Sequence, residues 1–237
     1  MARIVIDAGH GMNTPGKRCL KSLDSAETRE WFLNDRVADF LALYLISAGH
    51  TVKRVDDTTG KTDVSLANRC SAANNWSADL YLSVHHNAGA EGTSSGGLVV
   101  YVCPGCSAKS RKLQDEVYKK SVERAKLPGN RWDGTLDANF YVLNNTNMPA
   151  ILIECGFMDS KVDIKYILDE EWSKDMALGI AEGVCKVVGG TVKTGAVTPE
   201  KEPSNIYRVQ VGAYSKKENA YAMLEKLKKA GFEGFIK

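Results

Sequence analysis

Short apolar runs that alternate with helical stretches constrain the fold of this chain more than any other feature. Strands are predicted at 4–6, 51–55, 79–85, 97–102, 139–143 and 150–155, and helices at 26–48, 66–76, 107–125 and 172–188. This alternation indicates an α/β domain, with an open, twisted, mostly parallel sheet and helices on both faces. In such sheets, binding sites form at the carboxyl ends of the strands.

The first strand runs directly into a histidine between two glycines, Gly9-His10-Gly11. Glycine lets the backbone turn sharply and leaves room for a ligand. His10 is therefore a candidate metal ligand at the carboxyl edge of the sheet. The alternative is a histidine that simply ends a strand, so the choice depends on whether other ligands reach the same edge.

Two other predicted strands end in residues that could share this site. The third predicted strand ends in two histidines, His85 and His86. Neighbouring residues on a strand point to opposite faces, so only one of the two can join His10. Glu154 follows the apolar run 150–153. A carboxylate there is costly to bury unless it is paired, and burial raises its pKa towards the range of a general base. The alternative is a solvated glutamate at a strand end.

Glu27 and Glu30 open the first predicted helix, where Asp24 or Ser25 could act as the N-cap. Carboxylates in a first helical turn stabilise the helix dipole, which is reason enough for Glu27. Glu30 could also reach back to the end of the first strand. The residues alone do not choose between Glu27 and Glu30, or between His85 and His86. Three nitrogen or oxygen ligands plus a further carboxylate are nevertheless the components of a catalytic zinc site.

Residues 3 to about 188 resemble the zinc-dependent N-acetylmuramoyl-L-alanine amidases of the amidase-3 family. The matching motifs are D-A-G-H-G at 7–11, E-x-x-x-N-x-x-x-A at 30–38, S-x-H-x-N at 83–87 and I-E-x-G-F at 153–157. The resemblance implies that His10, Glu30 and His85 bind zinc and that Glu154 is the catalytic glutamate. His86 departs from the family, which often has a small residue there.

The resemblance also implies hydrolysis of the peptidoglycan amide bond between N-acetylmuramic acid and the L-alanine of the stem peptide. Zinc would polarise the carbonyl and lower the pKa of its water to about 7, and Glu154 would pass the proton of that water to the leaving amine. A non-catalytic wall-binding protein would be expected to lack one of the four site residues. A zinc peptidase acting within the stem peptide stays open as an alternative.

A stretch without periodicity, rich in Gly, Thr, Lys, Pro and Glu, follows the last predicted helix. The predicted domains are therefore a catalytic domain at 1–189, a linker at 190–204 and a tail at 205–237. The sequence of the tail predicts a strand at 206–211, a helix at 216–230 and a second strand. It resembles one half of the sporulation-related (SPOR) wall-binding repeat.

The size and charge of the tail suggest how it acts. Seven Lys or Arg against three Asp or Glu give 205–237 a net charge of +4, which would attract anionic wall polymers. One such unit is too small to bury a core and leaves strand edges open. We therefore expect either a monomer with a poorly ordered tail or a homodimer joined through the tails.

Composition excludes some partners. The net charge of +2 is too small to predict nucleic-acid binding, and no apolar run approaches the ~18 residues of a membrane span. No signal-peptide pattern begins the chain, which suggests synthesis in the cytoplasm and release to the wall by a holin or by mother-cell lysis. A phage or prophage endolysin is favoured over a sporulation autolysin. Cys103 and Cys106 are predicted to be loop cysteines, with a disulfide or redox pair, or a metal pair, as alternatives.

Overall fold

The computed structural model describes residues 1–128, 134–194, 223–227 and 229. Within them, strands and helices follow in chain order: β1 (Arg3–Ala8), α1 (Glu30–Ser47), β2 (Thr51–Arg54), α2 (Leu66–Asn75), β3 (Leu80–Asn87), β4 (Val99–Val102), α3 (Ala108–Ala125), β5 (Thr135–Asp137), α4 (Tyr141–Asn144), β6 (Ala150–Phe157), α5 (Ile164–Ile167) and α6 (Glu170–Val188).

The six strands form one sheet in the order β2-β1-β3-β6-β4-β5. Neighbouring strands are parallel except β4 and β6, which are antiparallel. The predicted open, mostly parallel sheet is therefore confirmed. Because β1, β3 and β6 are adjacent and parallel, their carboxyl ends meet at one edge in the middle of the sheet.

The alternation of side chains along each strand builds a hydrophobic core on each face of the sheet. Ile4 and Ile6 of β1 belong to the larger core, which is covered by α1, α3 and α6. Val5 and Tyr81 belong to the core on the other face, under α2 and α4. The prediction of helices on both faces is confirmed.

One predicted strand is wrong. Residues 139–143 were expected in the sheet, but residues 141–144 form the short helix α4. Val142 and Leu143 are both buried in the core under α2, whereas an extended strand would place them on opposite faces. The edge strand β5 was not predicted, because its three residues, Thr-Leu-Asp, form no apolar run.

The first helix begins at Glu30, later than predicted, with Arg29 as its N-cap. Residues 28–30 instead pair with residues 17–19: the amide of Cys19 donates to Thr28 O at 2.9 Å and that of Glu30 to Lys17 O at 3.1 Å. Asp24 caps no helix and accepts hydrogen bonds from the amides of residues 26 and 28.

The chain divides into two compact units, at 1–199 and 200–237. Of the second unit, the described residues 223–227 and 229 are helical, inside the helix predicted at 216–230. The predicted tail strands and most of the predicted linker lie outside the described residues. The helices of the described part are too short or too polar to cross a membrane.

The CxxC pair lies in the turn after β4, where the amide of Cys106 donates to Cys103 O at 3.1 Å. Both cysteines are free thiols. Cys103 packs against the core under α2, and Cys106 against the core on the opposite face.

Candidate metal centre and its relatives

The central strands bring three of the four predicted site residues to the same edge of the sheet. Ala8 of β1 is in register with Val84 of β3, so His10 lies just beyond the strand end beside His85. His85 is itself in register with Glu154 of β6. The sheet therefore supplies two imidazoles and one carboxylate from neighbouring strands.

Glu30 completes the cluster from the first turn of α1. Its Oε1 lies 3.0 Å from His85 Nδ1 and 3.3 Å from His10 Nε2. The two imidazole rings are perpendicular, with centroids 4.9 Å apart. Only 1% of the Glu30 side chain is exposed, against 19% for His10 and 17% for His85.

Glu30 and His85 stabilise each other's charged forms. Burial alone would raise the pKa of Glu30, but its close contacts with His10 and His85 hold this pKa well below its usual range. Burial lowers the pKa of His85, but its contact with Glu30 outweighs burial and leaves that pKa raised. Glu30 is therefore an anion at any pH at which the protein would work.

The donor set fits a zinc ion. The ligand atoms of His10, Glu30 and His85 lie within 4.8 Å of one another. His10 Nε2 and Glu30 Oε2 are buried and make no hydrogen bond, which is costly unless another partner satisfies them. Two histidines and one glutamate, with space for a water, are a known set of ligands for catalytic zinc. Within the described part of the chain, no second cluster of this kind occurs.

Glu154 lies beside this cluster but outside it. Burial raises its pKa to about 7; the charge of His85 opposes this shift, and that of Glu30 reinforces it. Its Oε2 is buried and makes no hydrogen bond. The raised pKa predicted from the sequence is confirmed, and a carboxyl group that titrates near neutral pH suits proton transfer.

His86 and Glu27, the second members of the two pairs that the sequence left undecided, have surroundings different from those of His85 and Glu30. His86 contacts α1 one turn beyond Glu30, where its Nδ1 lies 2.8 Å from Asn34 Oδ1. Burial lowers the pKa of His86 to about 3, so its ring is neutral. Glu27 lies outside α1, where it pairs with Arg18 and Lys21 on the surface. The expectation that Glu27 stabilises the first helical turn is wrong, because the helix starts three residues later.

The ring of His85 packs so close to the backbone at residue 9 that only glycine fits there. A Cβ atom at residue 9 would lie 2.0 Å from His85 Cε1, closer than any real contact. Asn34 then holds this glycine by donating to its carbonyl oxygen at 3.1 Å. The sequence predicted room for a ligand at this glycine, but the ring of His85 occupies that space.

The support under the site was missed by sequence analysis. Asp7 is 1% exposed and accepts hydrogen bonds from the guanidinium of Arg69, from Tyr81 Oη at 2.8 Å and from Ser83 Oγ at 3.1 Å. A signal was present, because an aspartate inside a β-branched strand needs a buried partner. The sequence did not indicate which cation supplies it.

Comparison with known proteins identifies the family. The family model described as N-acetylmuramoyl-L-alanine amidase matches residues 4–186, and the model of the SPOR domain matches residues 193–237. The chain belongs to the N-acetylmuramoyl-L-alanine amidase family. The predicted resemblances to this family and to SPOR domains are both confirmed.

Several named relatives match most of the chain. The N-acetylmuramoyl-L-alanine amidase CwlM of Bacillus licheniformis is 31% identical over 100% of this chain and 85% of its own length. The sporulation-specific N-acetylmuramoyl-L-alanine amidase of Bacillus subtilis strain 168 is 30% identical over 100% of this chain and 84% of its own. The endolysin of Bacillus phage SPP1 is 30% identical over 85% of this chain and 72% of its own.

Solved structures agree with the fold and the enzyme class. The N-acetylmuramoyl-L-alanine amidase from Clostridium difficile 630 superposes with a TM-score of 0.71, is 32% identical, and covers 79% of this chain and 96% of its own. The amidase AmiC2 of Nostoc punctiforme gives a TM-score of 0.69 at 27% identity, over 79% of this chain and 97% of its own. The prediction of an N-acetylmuramoyl-L-alanine amidase is confirmed.

The raised pKa of Glu154 predicts a pH-dependent stability for the metal-free amidase. This pKa is about 7 in the folded chain and near the ordinary value of 4.5 after unfolding, so the folded chain binds more protons in between. The contribution of Glu154 to the free energy of unfolding should therefore fall as pH rises through this window, and Glu154→Gln should lack that fall. Relative to the parent, Glu154→Gln should gain stability between about pH 5 and about pH 8.

Urea unfolding in the presence of a chelator measures this difference at each pH. A stability difference between Glu154→Gln and the parent that stays constant across the range would contradict the raised pKa.

Proposed function

We propose that this amidase is a zinc enzyme that hydrolyses the bond between N-acetylmuramic acid and L-alanine in peptidoglycan, with Glu154 as the general base. The convergence of His10, Glu30 and His85 beside Glu154 carries the proposal. The first three would hold the metal. A bound zinc ion supplies Lewis acidity that polarises the amide carbonyl and acidifies water.

The residues of the chain divide the remaining work. Glu154, with a pKa of about 7, is partly ionised at neutral pH and can accept a proton from the attacking water. The same carboxyl group can then donate that proton to the amide nitrogen, so that the C–N bond breaks and a neutral amine leaves. Glu30 stays ionised and balances the charge of a divalent cation.

The ligand assignment predicts which variants lose zinc. His85→Ala and Glu30→Ala should each lose the metal, because each removes one of three ligands. His86→Ala and Glu27→Ala should keep it, because those side chains contact Asn34 and the surface cations Arg18 and Lys21. Metal analysis of the four purified variants decides the matter. Zinc retained in His85→Ala but lost in His86→Ala would reverse the assignment.

Mass spectrometry of digested sacculi tests the reaction itself. The parent should release intact glycan strands together with stem peptides that begin with a free L-alanine amine. Glu154→Gln should retain zinc but turn over at least ~100-fold more slowly, as loss of a general base predicts. Near-normal turnover with full zinc occupancy would remove Glu154 from this role.

The same digest separates the closest alternative. A zinc peptidase that acts within the stem peptide would leave L-alanine attached to muramic acid and generate other amino termini. Either outcome follows from the masses of the fragments alone.

We propose that the SPOR region anchors the enzyme to the wall, with domain limits near 1–189, 190–204 and 205–237. A chain that stops after Thr194 keeps the contact of Lys193 N with Ser47 Oγ at 3.2 Å and the packing of Val192 on the core. This chain should cleave soluble muropeptides at the parent rate but bind and clear whole sacculi less well. Equal sedimentation of both chains with sacculi would show that the tail is not a wall anchor.

The biological setting stays a prediction. The matched relatives include a sporulation-specific amidase and a phage endolysin. The endolysin setting expects the gene to restore host lysis to a phage that lacks its own lysis enzyme. The sporulation setting expects it to restore mother-cell lysis in a spore former.

A further inference from the structure

His10 has an unusual backbone conformation for a residue with a side chain. Its φ is 67°, in the left-handed region, where it lies between two glycines. A non-glycine residue there costs of order 1 kcal/mol or more and persists only where its surroundings enforce it. The orientation of the imidazole towards Glu30 and His85 therefore depends on what holds this backbone.

The peptide group between His10 and Gly11 is held at both of its polar atoms. The carbonyl oxygen of His10 accepts from Arg69 Nη2 at 3.0 Å. The amide of Gly11 donates to Thr14 Oγ1 at 3.0 Å. Both contacts end on one carboxylate, because Arg69 Nη2 donates to Asp63 Oδ1 at 3.1 Å and Thr14 Oγ1 to Asp63 Oδ2 at 2.7 Å. We call Thr14, Asp63 and Arg69 the Asp63 clamp.

The core anchors one end of the Asp63 clamp. Arg69 is 1% exposed, and its guanidinium also bonds Asp7, Ala8 O at 2.6 Å and Val64 O at 2.7 Å. The donor at His10 is therefore fixed to β1 and to the start of α2. The Asp63 end of the clamp lies at the surface, since 45% of the Asp63 side chain is exposed.

We propose that the Asp63 clamp positions His10 and so preorganises the metal site. The inference rests on the proposed function, because it takes His10 as a metal ligand. When the Asp63 clamp is broken, the His10–Gly11 peptide can relax towards ordinary φ values and carry the imidazole away from Glu30. Metal binding must then re-form the strained conformation, and the loss of such outer contacts typically weakens metal affinity 10–100-fold.

The test measures zinc affinity, which is independent of turnover. The full chain and its variants are stripped with a chelator, and the Kd for Zn²⁺ is measured by competition with a chromophoric chelator. Asp63→Ala should weaken binding about tenfold, as loss of an outer-shell partner does. Asp57→Ala is the matched control in the same loop, where the Asp57 carboxylate accepts from Thr59 and Thr62 but contacts no residue of the Asp63 clamp. Its affinity should equal that of the parent.

Two further variants separate position from charge. Asp63→Asn removes the negative charge, but its amide can accept from Arg69 and donate to Thr14, so it should bind zinc nearly as tightly as the parent. Arg69→Lys keeps the charge beside Asp7 but lacks the planar fork, so it should weaken binding like Asp63→Ala. Arg36→Lys is its control, because Arg36 also donates to main-chain carbonyls, those of residues 167–169.

The outcomes are distinct. Parent-like affinity in Asp63→Ala, or equal weakening in Asp63→Asn, overturns the Asp63 clamp. Equal weakening in Arg36→Lys and Arg69→Lys also overturns it, because the effect would then be general destabilisation. A parent chain that binds no zinc overturns the proposed metal site as well. Should Arg69→Lys fail to fold, the exposed Asp63 variants still decide.

Discussion

The buried ion pair between Asp7 and Arg69 supports the backbone that carries the site. Both side chains are almost completely buried, and removing one partner of a buried pair typically costs about 3–5 kcal/mol because the other charge is left unpaired. The pair connects β1 to α2, and hydroxyl groups of β3 complete the coordination of the carboxylate. The backbone that leads to His10 therefore starts from one of the most constrained points in the core.

A second buried carboxylate, Glu30, determines the geometry above the sheet. The pairing of residues 17–19 with 28–30 delays the start of α1, so that Glu30 occupies the first helical position and faces the strand ends. A helix starting at Ala26 would have placed Glu30 in its second turn. Lys17, carried by the same pairing, lies with its Nζ 3.7 Å from Glu30 Oε2. Local pairing and charge compensation thus act together on one side chain.

The fold could be predicted from the sequence because its strands are apolar and its helices periodic. The prediction failed at 139–143 and at β5, where the burial of Val142 and Leu143 depends on α2 and the short edge strand carries no pattern of its own. The sequence drew attention to His10, the His85–His86 pair and Glu154 because each follows an apolar run, but the choice of Glu30 over Glu27 and of His85 over His86 came from the family resemblance. Their support was missed, because Arg69 bonds the main-chain oxygen of His10 and Asp63 bonds the side chains of Thr14 and Arg69, and a sequence does not show which distant groups a side chain will reach.

The packing of His85 onto Gly9 has an evolutionary consequence. The ring occupies the volume that any larger residue at position 9 would need, so the two positions cannot change independently. A descendant that replaced His85 with a small residue would free position 9 to accept a side chain. Once that happened, restoring the histidine would cause a steric clash, and the lost ligand could not return by a single reversion. Loss of the metal centre in such a lineage would therefore be irreversible by single substitutions.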